Sequence, residues 1–193
     1  MFIGAAYYPE HWVYPFDGTE EKPESRWETD AELMVKAGIN SVRMGEFCWG
    51  MVEREEGKVD FSYLRRAMDV FAKAGLKVIL ATPTAAPPVW LLQKYPEILP
   101  VDENGIARRE GTRRAYCLNS NKYWELSKKI IKAMSEQLGD HPALIAWQAD
   151  NGIGRHDTES SFNEETRRDW HAWLKQKYET VEHLNEKMGL HFW

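Results

Sequence analysis

The sequence predicts an α/β fold in which a strand and a helix alternate four times, as in the N-terminal half of a (β/α)8 TIM barrel. An internal repeat is the first observation, because KAGINSVRM at 36–44 matches KAGLKVILA at 73–81. The second is that long segments rich in aromatic and carboxylate side chains follow the predicted strands. Alternating units of this kind build a parallel sheet with right-handed crossovers.

The predicted elements follow one another in a regular order. The first strand covers 2–8, and each copy of the repeat is a helix end, a capping glycine (Gly38 or Gly75) and a strand. The apolar run 143–147 predicts the fourth strand. Apolar residues on one helical face predict the helices; these are Tyr63, Leu64, Ala67, Met68, Phe71 and Ala72, then Leu126, Ile130, Ile131, Met134 and Leu138, then Trp170, Trp173, Leu174 and Tyr178.

A doubly wound sheet is the competing architecture. It would need a glycine-rich phosphate loop after the first strand, but that strand runs into YYPEHW at 7–12, and no G-x-G-x-x-G occurs. A barrel carries its functional residues on the loops that follow its strands, which fits this sequence better. Since a complete barrel takes about 250 residues, we expect four βα units.

Composition and charge exclude several classes of function. The net charge of -5, without a basic stripe, argues against a nucleic-acid partner. No apolar run approaches the roughly 20 residues needed to cross a bilayer. The start FIGAAYYPEHW shows no basic leader, so we expect a cytoplasmic protein. The two cysteines, Cys48 and Cys117, do not make a disulfide framework.

Residue types that bind ligands follow the predicted strands. They are Tyr7, Tyr8, Glu10, His11 and Trp12 after the first strand, Arg43, Glu46 and Trp49 after the second, and Trp90 after the third. A hairpin-like insert then turns at Asn104 and Gly105. Any one of these aromatic or charged residues is more often structural than functional, but several at the same end of a barrel predict a site.

Six motifs together resemble glycoside hydrolase family 42, the β-galactosidases. They are YYPEHW at 7–12, VRMGEFCW at 42–49, EREEGKVDFSYL at 53–64, TPTAAPPVWL at 82–91, RRAYCLNS at 113–120 and AWQADN at 146–151. The resemblance runs from Tyr7 to Trp193. It implies that 1–193 is part of a (β/α)8 catalytic domain, and that the family's activity is retaining hydrolysis of β-galactosides.

The acid that this chemistry requires is missing from its expected place. A retaining glycosidase needs two carboxyl groups about 5–5.5 Å apart, one as acid and one as nucleophile. In the resembled family the acid follows an asparagine at the end of the fourth strand, whereas here Gly152 follows Asn151. The resemblance places the nucleophilic glutamate beyond Trp193. We therefore expect the 193-residue chain alone to be inactive.

Other carboxyl groups could replace the acid. Asp157 and Glu159 follow in the same loop, and Asp150 precedes it, while Glu10 and Glu46 lie on neighbouring loops. A loop folded back over the site could deliver Asp157 or Glu159. Loss of the acid and its replacement both remain open.

The resemblance also implies roles in sugar binding. Arg113 matches the arginine that binds the galactose, Asn151 matches the asparagine that hydrogen-bonds the sugar, and Trp193 matches a tryptophan that lines the sugar subsite. A planar fork of donors, an amide and a stacking face suit these roles. The exact sugar and linkage remain open.

No metal or cofactor is expected. Some members of the resembled family hold a zinc with four cysteines, one of them at the position of Cys117. The segment ESSFNEETRR at 159–168 contains none of the others. One thiol does not make a structural zinc site, so we expect Cys117 to be a buried thiol.

Two classes of function remain open for this chain. One is an enzyme of the β-galactosidase type. The other is a non-catalytic half-barrel that binds sugar or depends on a partner for assembly. Because a half-barrel leaves two open sheet edges, we also expect self-association.

Overall fold

The computed structural model describes residues 1–109, 114–153 and 160–191. Within these residues, four parallel strands form one sheet in the order β1–β2–β3–β4. They are β1 Gly4–Ala6, β2 Ser41–Met44, β3 Lys77–Ala81 and β4 Leu144–Gln148. A doubly wound sheet reverses its order at a switch point, whereas this order is sequential. The predicted fold class, the N-terminal half of a (β/α)8 barrel, is confirmed.

Helices connect the strands as the alternating pattern predicts. The α-helices in the described residues are α1 Ser25–Lys36, α2 Trp49–Val52, α3 Ser62–Lys73, α4 Val89–Lys94, α5 Asn121–Leu138, α6 Glu164–Tyr178 and α7 Val181–Met188. Short 3-10 helices cover Pro9–His11, Pro83–Ala85 and Pro96–Ile98. Helices α1, α3 and α5 are the crossovers between successive strands, and α6 follows β4.

The repeat places a capping glycine after α1 and after α3. Gly38 and Gly75 have φ values of +81° and +84°, a region that glycine enters without steric penalty. In each case the residue after the glycine donates its N–H back into the last turn, Ile39 to Met34 and Leu76 to the carbonyl of Phe71. This is a Schellman ending, and it directs the chain into the next strand.

The core lies between the sheet and its crossover helices. The predicted face of α3 is buried at Leu64, Ala67, Met68 and Phe71, and the predicted face of α5 at Leu126, Ile130, Met134 and Leu138. The strand residues that meet these helices are Val42, Met44, Val78 and Leu80. Burial of one large apolar side chain stabilises the fold by about 1.5–3 kcal/mol, so this layer holds the strand ends in place.

Gly45 allows β2 to end close against β3. A Cβ at this position would lie 3.0 Å from the carbonyl oxygen of Ala81 and 3.3 Å from Cε of Met134. Its φ of +98° also favours glycine. The glycine therefore brings the loop that follows β2 next to the loop that follows β3.

Two strand boundaries differ from those predicted. β1 is Gly4–Ala6 rather than 2–8, because the chain turns into a 3-10 helix at Pro9 soon after Tyr7 donates its N–H to Arg43. β4 begins at Leu144 rather than at 143 and includes Gln148. Both changes concern one or two residues at strand ends, where periodicity carries little information.

The predicted hairpin-like insert is confirmed. Val101 and Ala107 form an isolated antiparallel bridge, and Gly105 at the turn has a φ of +79°. The carboxylate of Asp102 accepts hydrogen bonds from the backbone N–H groups of Asn104 and Ile106 at 2.9 and 2.8 Å. The aspartate thus closes the turn, as this residue commonly does.

The edge strand β4 and helix α6 expose apolar side chains. Ile145 and Trp147 of β4 are 39% and 42% exposed. On α6, Trp170 and Trp173 stack with ring centroids 5.0 Å apart, and no residue of this helix is buried. These apolar side chains remain exposed to solvent within the described residues.

No helix in the described part of the chain is both long and apolar enough to cross a membrane.

Candidate active site

Polar residues gather where the parallel strands end, at the edge of the sheet where barrels carry their sites. The described residues form two clusters there. One contains Tyr8 and Glu10, which follow β1, together with Arg43 near the end of β2 and Glu46 after it. The other contains Thr82, Thr84, Arg114, Asp150 and Asn151 and follows β3 and β4.

Asp150 is the centre of the second cluster. Its Oδ1 accepts a hydrogen bond from Nη1 of the buried Arg114 at 2.6 Å. Its Oδ2 accepts from the hydroxyls of Thr84 at 2.8 Å and Tyr116 at 3.1 Å. Charge-assisted hydrogen bonds of this kind are roughly twice as strong as neutral ones. The carboxylate therefore joins β4 to two other segments.

The backbone around Asp150 is fixed as well. Asp150 has a φ of +58°, in the left-handed region that non-glycine residues seldom occupy. Its N–H donates to Oγ1 of Thr82, and its carbonyl accepts from Nε2 of Gln148, at 2.8 and 2.7 Å. The N–H of Asn151 donates to Oδ1 of Asp150 at 2.6 Å. A strained backbone conformation of this kind persists only where several surrounding contacts hold it in place.

The environment keeps Asp150 ionised. Burial raises the pKa of its carboxyl, but the hydrogen bonds from Thr84 and Arg114, with the positive charge of Arg114, outweigh burial and leave the pKa below its ordinary value. A group in this state holds no proton at neutral pH. Asp150 is thus unsuited to replace the missing acid.

Stacked tyrosines support Arg114 and Asp150. The rings of Tyr116 and Tyr123 stack with centroids 4.0 Å apart, and the Arg114 guanidinium lies 5.3 Å from the ring of Tyr116. Tyr123 donates its hydroxyl to the carbonyl of Thr84 at 2.8 Å. Burial raises the pKa of both phenols, that of Tyr123 to about 12, so both hydroxyls stay protonated and act as donors.

The first cluster is built on Glu46. This fully buried carboxylate accepts from Nη2 of Arg43 at 2.6 Å and from the hydroxyl of Tyr8 at 3.1 Å. The ring of Tyr8 stacks with those of His11 and Phe47, with centroid distances of 5.4 and 5.9 Å. The Glu46 carboxylate therefore joins the loop after β1 to the end of β2.

Glu10 is a second carboxyl group in this cluster. Burial raises the pKa of Glu10 above its ordinary value, and the charge of Glu46 adds to the effect. It follows β1, whereas Asn151 follows β4. Those strands are the two edges of the described sheet.

Asn151 and Gly152 lie next to the end of the described part of the β4 loop, which is Ile153. Asn151 is half-buried and donates its N–H to Asp150, and its predicted role in sugar binding stays a prediction. Gly152 follows directly with a φ of +76° and carries no side chain. The other predicted residues, Arg113, Asp157, Glu159 and Trp193, lie outside the described residues.

The neighbours of Cys117 do not suit a zinc site. This buried thiol lies 3.2 Å from Oγ1 of Thr166 and 3.8 Å from Oδ1 of Asn163. A structural zinc site needs four nitrogen or thiolate ligands. In the ranges that the structure describes, no group of three or more metal-ligating side chains could hold a metal ion. The absence of a metal stays a prediction.

A family model described as beta-galactosidase, glycoside hydrolase family 42, matches residues 6–193. The chain belongs to this family. The β-galactosidase of Thermus thermophilus is 42% identical over 191 residues, 99% of this chain and 28% of that protein. The β-galactosidase BgaH of Haloferax lucentense is 38% identical over 193 residues, 100% of this chain and 28% of that protein.

A solved structure of a family 42 relative has the same fold. The crystal structure of the β-galactosidase from the psychrophilic Marinomonas ef1 matches with a TM-score of 0.90 and 42% identity. It covers 100% of this chain, which covers 28% of that one. The chain thus spans little more than a quarter of the length of these β-galactosidases.

Sequence reasoning missed the role of Arg114. It assigned Arg113 to the sugar and left the adjacent arginine without a partner. Arg114 and Asp150 both stand in motifs that carried the resemblance, RRAYCLNS and AWQADN. The structure shows that they form an ion pair, with Nη1 and Oδ1 2.6 Å apart. The available signal was that one motif carries two positive charges and the other a single negative charge.

Substitution of Gly152 is expected to reveal how far the loop depends on glycine. At a φ of +76°, Gly152→Ala should lower the free energy of unfolding by about 1–2 kcal/mol, because L-residues are disfavoured there. Gly152→Asn should cost less, since asparagine tolerates this region. Urea unfolding followed by circular dichroism provides the measurement.

Gly50 provides the matched control for that measurement. It lies in α2, and a Cβ would meet only Pro88, at 3.7 Å or more. Gly50→Ala should therefore be neutral or stabilise the chain by up to about 1 kcal/mol. Equal effects of alanine at the two glycines would contradict the left-handed conformation of Gly152.

The Asp150 carboxylate should contribute stability that depends on pH. Asp150→Asn should lower the free energy of unfolding at pH 7 by about 3 kcal/mol, because it leaves Arg114 buried without a charged partner. The folded-state pKa of Asp150 is lowered. Its contribution is therefore complete above its unfolded pKa, about 3.9, and is lost as pH falls through the folded value. The difference between the two proteins should begin to shrink below about pH 4 and disappear only once the pH has fallen below the folded pKa.

Asp140→Asn is the control for this experiment. Asp140 is 78% exposed and contacts Arg65 at 3.4 Å, so its loss should change the free energy of unfolding by less than about 1 kcal/mol. A difference between wild type and Asp150→Asn that persists unchanged to pH 2.5 would contradict an ionised Asp150.

Proposed function

We propose that this chain forms the N-terminal, sugar-binding part of a β-galactosidase-type barrel in which the proton-donor position is Gly152. One observation carries the proposal: Asn151 is fixed at the end of β4 by Asp150 and Arg114, and a glycine follows it. The site therefore keeps its binding asparagine and lacks the carboxyl group that the family places next to it.

The reaction proposed for the whole protein is retaining hydrolysis of β-D-galactosides. An acid protonates the departing oxygen, and a carboxylate attacks the anomeric carbon from the other side. The resemblance puts that second carboxylate beyond residue 193. General acid catalysis contributes about 10²- to 10⁴-fold, so a protein with Gly152 should lose this factor on substrates whose leaving group needs a proton.

Three residues are proposed to bind the sugar. Arg113 would donate to the hydroxyls, Asn151 would hydrogen-bond the sugar beside the departing oxygen, and Trp193 would line the subsite. The proposed substrate is a β-galactoside or a closely related sugar, and 1–193 is proposed to be part of one catalytic domain. The cytoplasmic location and the absence of a nucleic-acid partner stay predictions.

A chimaera tests the catalytic part of the proposal. The 193 residues would be followed by the remainder of the Thermus thermophilus β-galactosidase, which is 42% identical over the matched part. This chimaera should hydrolyse activated aryl galactosides but not lactose, because only the aryl group departs without a proton. Added azide should accelerate the aryl reaction. Initial rates with both substrates give the measurement.

The variant Gly152→Glu is the matched control. A glutamate in the left-handed region costs about 1–2 kcal/mol, which is less than the 10²- to 10⁴-fold, roughly 3–5 kcal/mol, that an acid supplies. It should therefore restore lactose hydrolysis. Lactose hydrolysis by the chimaera with Gly152, abolished by Asp157→Asn or Glu159→Gln, would show instead that the acid has moved.

A second candidate function is a partner-dependent, non-catalytic half-barrel. The exposed edge strand β4, with Ile145 39% and Trp147 42% exposed, favours it. An uncovered strand edge with apolar side chains is a template for pairing with another chain. Two copies related by a two-fold axis could together supply eight strands.

Self-association of the 193-residue chain is therefore expected. Sedimentation velocity at micromolar concentration should show dimers or larger species. Ile145→Lys should shift them toward monomer, because a charge on an edge strand opposes pairing. Val35→Lys, on the exposed surface of α1, is the control and should leave the distribution unchanged. A single species near 22.5 kDa, with unfolding independent of concentration, would contradict self-association.

A further inference from the structure

We propose that Arg114 is a positioning residue for sugar binding, and that it acts by fixing the backbone of Asn151. Its role differs from that of Arg113, for which direct sugar binding is proposed. The inference rests on the proposed function, since Asn151 is the residue through which Arg114 would act.

The hydrogen bonds around Asn151 form a closed ring. Nη1 of Arg114 donates to Oδ1 of Asp150 at 2.6 Å and to the carbonyl oxygen of Asn151 at 2.8 Å. The N–H of Asn151 donates to the same Oδ1 at 2.6 Å. Both backbone polar groups of Asn151 are therefore held by the Arg114–Asp150 pair. A residue fixed in this way directs its Cα–Cβ bond in one direction.

Arginine is suited to this position by its shape and burial. The side chain of Arg114 is 1% exposed, and its planar guanidinium has donors at fixed angles. Lysine keeps the charge, but its three donors rotate freely on a flexible stem. We expect it to pair with Asp150 without also holding the Asn151 carbonyl in the same geometry.

Backbone strain supports a positioning role. Arg114 and Asp150 are both non-glycine residues with positive φ, +60° and +58°. Residues in this region cost of order 1–3 kcal/mol each and cluster where a site needs its geometry fixed. A scaffold ion pair could form without these conformations. Here they bring the guanidinium to the Asn151 carbonyl.

The test separates positioning from stability. The galactose affinity of the 193-residue chain would be measured by NMR titration, and the free energy of unfolding by urea denaturation. Arg114→Lys should weaken galactose binding at least tenfold. Arg65→Lys is a matched control, because Arg65 also donates to a carbonyl and a carboxylate, those of Gln137 and Asp140, away from the site. It should leave the affinity within twofold of wild type.

A second control isolates the effect of stability alone. Leu138→Ala removes a buried side chain of α5 and should destabilise the chain without weakening galactose binding. If affinity falls equally in Leu138→Ala and Arg114→Lys, or is unchanged in Arg114→Lys, Arg114 has no positioning role. If Arg114→Lys does not fold, Asp150→Asn replaces it, because an amide has one acceptor oxygen and loses part of the ring.

The Asn151 amide resonance keeps the inference testable when no sugar binds. Absence of galactose binding by wild type would refute the proposed sugar site. Arg114→Lys should still shift the Asn151 N–H resonance and speed its hydrogen exchange, whereas Arg65→Lys should change neither. An Asn151 resonance that is unchanged in a folded Arg114→Lys protein would overturn the inference by itself.

Discussion

The buried ion pair between Arg114 and Asp150 is the contact on which the functional edge of this sheet depends. It joins the end of β4 to the segment that enters α5, and through Thr84 to the loop after β3. Removing one partner of a buried pair typically costs 3–5 kcal/mol, because the other charge remains unpaired. The geometry of Asn151 follows from this pair, since both of its backbone polar groups bond to it.

Most of the fold could be predicted from the sequence because its signals are local. The apolar faces of α3 and α5 and the glycines at 38 and 75 act within one or two helical turns, and all lie where predicted. The start of β4 differed by one residue, since ladder hydrogen bonds decide strand ends and depend on the neighbouring strand. The closeness of Gly45 to β3 could not be predicted, because the atom it approaches is the carbonyl oxygen of Ala81, which is distant in sequence.

The candidate site was less predictable, and Arg114 shows why. Two consecutive arginines look alike in sequence, and only the folded chain shows that Arg114 enters the interior. Its partner Asp150 comes from another βα unit. Both residues have positive φ values, which no local sequence pattern predicts. The sequence did predict that polar residues meet at one edge of the sheet, since the carboxyl ends of parallel strands lie together.

In the β4 loop, the hydrogen bonds that fix Asn151 are independent of the residue at position 152. Asn151 owes its geometry to backbone hydrogen bonds from Arg114 and Asp150, and none of them involves the side chain at position 152. A glycine there leaves every contact of this network in place. The φ of Gly152, +76°, lies in the left-handed region, which glycine adopts readily and glutamate adopts at a steric cost. The proposed loss of the acid therefore leaves Asn151, the proposed sugar-binding residue, in the same backbone geometry.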